Sequence, residues 1–161
     1  MKITVAVLAI LGLAGASRDE GTAVPYTLPA AVRAHLKSET LTPVEHVRDL
    51  APSIREALRS LFKADSLEMA DPGAEFQSTD AIVTPSLPVR RLIAAGCSRD
   101  HCLIHYERGG VSHSYQIVLL ALSKEGARPQ WGGSTSGAIA GLAELKAQVV
   151  EGRVRGRVSY W

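Results

Sequence analysis

Cysteine and aromatic residues are scarce in this 161-residue chain: two cysteines, and 5% Phe, Trp and Tyr together. Two cysteines exclude a cysteine-dense scaffold and leave room for one disulfide. The formal net charge of +2 is too small for a wholesale nucleic-acid binder. No apolar run after the first residues approaches the roughly 20 needed to span a bilayer. No internal repeat and no low-complexity segment occurs, which excludes solenoid, collagen-like and grossly disordered architectures. Motifs for standard chemistries are missing as well. Gly133-Ser134-Thr135-Ser136-Gly137 lacks the Lys of a phosphate loop and the central Ser of a nucleophile elbow. Ser60-Leu61-Phe62-Lys63 matches Ser-x-x-Lys, but its companion motifs are absent. The sequence therefore assigns no catalytic residues, no cofactor and no metal ligands.

What is present begins with an address. Lys2 precedes a short apolar stretch from Ile3 to Leu13, and Ala14-Gly15-Ala16 is a small-x-small cleavage box. This is the grammar of a secretory signal peptide over residues 1–16, with cleavage expected before Ser17. Residues 17–27 read as a flexible polar leader, and residues 28–161 as one domain. A domain of that size buries roughly 68–70% of its unfolded surface and needs no metal to fold. The expected location is extracytoplasmic, periplasmic or secreted.

The first half of the domain reads as helical. Leu28-Pro29 opens a short helix through Val32 and Leu36, with Pro29 suited to a first turn. Thr42-Pro43-Val44-Glu45 has the form of a capping box. Val44, Val47, Leu50, Ile54, Leu58 and Leu61 then recur at three- and four-residue steps, with Pro52 splitting the run near Ala51.

The second half alternates with period two. Arg90 to Cys97, Cys102 to Arg108 and Ser112 to Leu122 read as three strands. Gly109-Gly110 suits a two-residue hairpin turn, which would set Tyr106 opposite His113, Ile104 opposite Tyr115 and Cys102 opposite Ile117. The preceding hairpin sets Cys97 opposite Cys102, Ala95 opposite Ile104 and Ile93 opposite Tyr106. One face is then apolar, and the other, carrying Leu103, His105, Glu107, Ser112, Ser114 and Gln116, is wet. A fourth strand is expected over Arg128 to Gly132, a closing helix over Ala138 to about Val150, and an edge strand over Val154 to Trp161. The fold class is α+β: N-terminal helices on an antiparallel meander of four to five strands, closed by a C-terminal helix.

Three constellations bear on function. Cys97 and Cys102, as cross-strand neighbours in an oxidising compartment, are expected to form a disulfide. His105 and Glu107 on the wet face, and Arg153, Arg155 and Arg157 on the last strand, are candidate partner contacts. The basic strand belongs to a charge asymmetry: residues 17–88 hold 7 basic and 11 acidic groups, residues 89–161 hold 10 and 5. Attraction between the two halves of one fold is the preferred account of that asymmetry. His101, His105, Cys97 and Cys102 match no standard zinc spacing, although His101 and His105 share a strand face if His101 continues the strand.

The function expected is a small exported binding protein without nucleic-acid ligands. Its partner would be an envelope or secreted protein, as for an inhibitor or immunity-type partner of an enzyme or toxin, or an anionic surface polymer. The alternative is a small extracytoplasmic hydrolase using a His/Glu or Cys/His site on the sheet. A metal carrier using His101 and His105 is a third reading.

Overall fold

The computed structural model describes residues 27–81 and 84–156. The expected signal peptide, most of the leader, Arg157 and the end of the last strand lie outside the described residues. Helix α1 spans Ala30–Ser38, strand β1 Thr42–Pro43 and helix α2 Pro52–Leu61. Strands β2 (Arg90–Cys97), β3 (His101–Arg108), β4 (Ser114–Ser123) and β5 (Gly126–Thr135) follow, then helix α3 (Leu142–Val150) and strand β6 (Arg155–Gly156). The strands form one six-stranded antiparallel sheet in the order β1-β2-β3-β4-β5-β6. The expected α+β class with an antiparallel sheet holds; the strand count is six instead of four to five.

The additional strand is β1, where a helix start was expected. Thr42 and Pro43 pair with Cys97 and Gly96 at the sheet edge, where proline need cost no ladder bond. The chain stays extended to His46 and makes a 3-10 turn over Val47–Asp49, whose Val47 N–H is taken by Asp71 Oδ1 at 2.7 Å. The α-helix begins only at Pro52, which occupies the first turn, where its missing N–H is harmless. Ile54, Ala57 and Leu58 are the buried positions of α2, and Leu61 packs partly buried beside them. The apolar spacing from 44 to 61 is thus real, but it is divided between an extended segment and a helix.

Both sheet faces are covered. On one side Leu36 of α1 and Leu145 and Val149 of α3 join Ala94, Leu103, Ile117, Leu119 and Trp131. On the other, Leu50 with Ile54, Ala57 and Leu58 of α2 packs on Leu92, Ala95, Cys102, Ile104, Tyr106, Val118 and Leu120. The expectation of a single buried face is corrected by this second helical layer, and β3 is buried from His101 to Glu107.

The β3–β4 register also differs from expectation. Tyr106 pairs with Gln116, Ile104 with Val118 and Cys102 with Leu120, three positions from the two-residue turn's register. An odd shift exchanges the faces of a strand. So Ile117 and Leu119 lie with Leu103 and His105, not with Ile104 and Tyr106. The cause is at Gly109. Its N–H donates to Val89 O, and a Cβ there would stand 2.6 Å from Ser78 Cα. This docking makes Gly109 part of a longer connection, in which Gly110 alone has positive φ, +98°. The β2–β3 hairpin matches expectation at Cys97–Cys102 and Ala95–Ile104, and a bulge at Ile93 substitutes Leu92 for Ile93 opposite Tyr106.

His105 and Glu107 are therefore not on a wet face. His105 is 0% exposed and Glu107 5%. The closing helix starts at Leu142, later than expected. Chain between Gly132 and Gly137 continues β5 through Thr135 and then bends, and Gly141 stands at the N-cap of α3.

Candidate metal centre

The last turn of α1, the β2–β3 turn and α3 meet at one end of the sheet. His35 and Glu39 are four residues apart and so share one side of α1 and its cap. Glu39 closes the helix by donating its N–H to Leu36 O. Lys146 of α3 fixes this end by donating from Nζ to Lys37 O at 3.1 Å and to Glu39 O. From the other side, Cys97 and Cys102 face each other across the hairpin, 4.0 Å between Cα atoms, and are joined as a disulfide. Within that loop Ser98 Oγ accepts the N–H groups of Asp100 and His101. The turn thereby presents His101, first residue of β3, to α1.

His101 Nδ1 lies 2.9 and 3.0 Å from the two Glu39 carboxylate oxygens. His35 Nε2 lies 3.5 Å from Glu39 Oε1 and 3.4 Å from Asp100 Oδ2. The two imidazoles meet edge to face at 5.2 Å. Side chains of His101 and Glu39 are buried, whereas His35 is half exposed and Asp100 a third exposed. Asp100 hydrogen-bonds Arg99, which holds its carboxyl below the usual carboxylate range.

One ligand atom from each of His35, Glu39 and His101 lies within 4.8 Å of the others. A divalent ion with bonds of about 2.0–2.1 Å sets tetrahedral ligand atoms roughly 3.3 Å apart. The separations to Glu39 bracket that value. Two imidazoles and one carboxylate with an open side form a donor set suited to zinc, copper or nickel and poor for calcium or magnesium.

The structure brings together residues that sequence spacing kept apart. His101 is one of them; His105, its expected companion, is not. The His105 Nδ1–H donates to Gln116 O at 2.8 Å, and the Ile139 N–H donates to His105 Nε2 at 3.1 Å. Both ring nitrogens are occupied, and burial lowers the pKa, so His105 is a neutral core histidine. Glu107 instead accepts from Arg91 Nε at 2.7 Å and contacts His113 Nε2 at 2.8 Å. Arg153 pairs with Glu151 at 2.7 Å, and Arg155 is exposed on β6. Sequence reasoning missed His35 and Glu39. Their only signal was a His-x-x-x-Glu spacing at the end of a helical pattern, which is common on solvated helices.

Among the described residues no helix is long and apolar enough to cross a membrane. Comparisons with protein-family models, with curated proteins and with solved structures find no significant match.

Proposed function

We propose that this protein is an exported binding domain that takes a divalent transition-metal ion at His35, Glu39 and His101. The observation that carries the reading is the convergence of three donors of the right kind from α1 and β3, two of them buried and one open to solvent. The buried pair supplies a pre-formed half site, and exposed His35 gives an ion its way in and out. Binding replaces the His101–Glu39 contact, a charge-assisted bond worth about 1.5–3 kcal/mol, which weakens affinity by about ten- to a hundredfold. The signal-like N-terminus and the disulfide support an extracytoplasmic setting, where a cysteine-free donor set keeps binding independent of thiol oxidation.

The observations supporting a hydrolase are fewer. The thiols are joined, and both nitrogens of His105 already have partners. A protein or polymer contact at the basic strand has Arg155 in its favour, while Arg153 is neutralised locally by Glu151.

Calorimetric titration of the metal-free protein with zinc, and visible spectroscopy with cobalt, test the proposal. One site of about micromolar dissociation constant and a tetrahedral cobalt spectrum are expected, with affinity falling at least about tenfold in His35→Ala and Glu39→Gln. His35 is half exposed, so its variant retains the fold. No heat of binding, or unchanged affinity in His35→Ala, would overturn the assignment.

A further inference from the structure

At the opposite end of the β2–β3 hairpin, on the face covered by α2, several buried hydrogen-bond donors lie near one another. Arg90 and Arg108 are directly opposite each other. Tyr106, two residues before Arg108, pairs with Gln116 of β4. By strand parity all four side chains share the α2 face. Gln116, Arg90 and Tyr106 are 2%, 8% and 0% exposed, and Arg108 is partly buried.

Arg90 Nε, Arg108 Nε, the Tyr106 hydroxyl and Gln116 Nε2 are all buried without a hydrogen-bond partner. Among the described residues neither arginine has an ion pair. Like charges directly opposite on neighbouring strands repel. The Phe62 ring covers one side of Arg90, 4.0 Å from the guanidinium carbon to its centroid. Glu68 is the carboxylate within Coulombic reach, but it is exposed and receives the Ser66 hydroxyl. Native interiors rarely leave one such donor unmet, and here four adjoin.

We infer that Arg90, Tyr106, Arg108 and Gln116 form a binding site for the phosphate group of a small solute. Two guanidiniums match a dianion in charge, and their planar forks match phosphate oxygens in geometry. The hydroxyl and the amide add neutral donors to the remaining oxygens. A carboxylate would leave one positive charge uncompensated. Partly buried Arg108 forms the rim, and the depth of Arg90 and Gln116 suits a small phosphorylated solute better than a lipid surface. This site shares no residue with the metal centre and lies at the far end of the hairpin on the other face, so either assignment stands or falls alone.

The test is a titration of the metal-free protein with inorganic phosphate at constant ionic strength, following the arginine Nε–H resonances and thermal stability. Saturable shifts confined to Arg90 and Arg108 are expected, with a dissociation constant of about millimolar or tighter. Arg108→Gln should weaken binding about tenfold or more, and Arg55→Gln, on the exposed face of α2, should leave it unchanged. Should Arg108→Gln not fold, Tyr106→Phe, which deletes only a hydroxyl, carries the same prediction with about a threefold loss. Absence of saturation by about 10 mM phosphate, an equal response to chloride, or equal weakening by Arg55→Gln would overturn the site. Tighter binding of acetate than of phosphate would overturn the ligand class.

Discussion

Replacing His105 tests whether this buried imidazole is an architectural tie. The ring links Gln116 of β4 to Ile139 in the segment before α3, through bonds of 2.8 and 3.1 Å. His105→Ala removes both bonds, leaves the Ile139 N–H buried without its acceptor and opens a cavity among fully buried neighbours. An unmet buried donor costs about 1–3 kcal/mol and a large-to-small core substitution about 2–5, so a total near 3–5 kcal/mol is expected. His105→Phe retains the volume and loses only the bonds, for about 2–3 kcal/mol. Urea unfolding followed by circular dichroism separates the two.

The same group gives a pH signature. Burial outweighs the Gln116 hydrogen bond and the Glu107 charge, and holds the pKa below that of a free imidazole. Below about pH 6.5 the unfolded chain then binds a proton that the folded protein refuses. Stability from this group is therefore complete above about pH 6.5 and declines as pH falls, by at most about 1.4 kcal/mol per pH unit, until the lowered pKa is passed. His105→Phe lacks that component. If His105→Phe were as stable as wild type, or if the two stability–pH curves ran parallel between about pH 6.5 and 5, the reasoning would be refuted.

Cys97→Ser/Cys102→Ser opens a short loop, for an expected loss of about 2 kcal/mol. It should also weaken zinc binding, because His101 sits inside that loop; unchanged zinc affinity would mean that the turn holds His101 unaided. Intact mass before and after reduction should show two hydrogens gained and residues 1–16 missing from the exported protein. Gly109→Ala forces a methyl against the backbone of Gln77 and Ser78, for about 1–3 kcal/mol or more. Gly137→Ala, with open space around it, should stay within about 0.5 kcal/mol by thermal unfolding. Equal melting temperatures for the two variants would contradict the docking described for Gly109.

The sheet and its disulfide were legible because their signals are local. Cys97 and Cys102 bracket a turn of four residues, and the strands on either side alternate over short range. The helical period up to Leu61 and the break at Pro52 were equally legible; that the residues before Pro52 form a strand and a 3-10 turn was not. Thr42-Pro43 has the composition of a helix start. It became a strand because the edge of β2 offered unpaired backbone groups and a proline fits an edge.

Sequence alone determined the α+β class, the antiparallel meander and the cysteine pairing, each a matter of near neighbours along the chain. Tertiary structure decided which faces of the sheet are wet, and along β3 the answer was neither. Helices on both sides of the sheet brought that about, while the docking of Gly109 against Gln77 and Ser78 accompanies a β3–β4 register shifted by an odd number of residues. Packing of distant segments was the decisive factor in each case. It also decided both candidate sites. His35 and Glu39 meet His101 only because packing brings α1 to the β2–β3 turn, and Gln116 stands opposite Tyr106 only in the observed β3–β4 register. No pattern of spacing along one segment encodes a contact made by two.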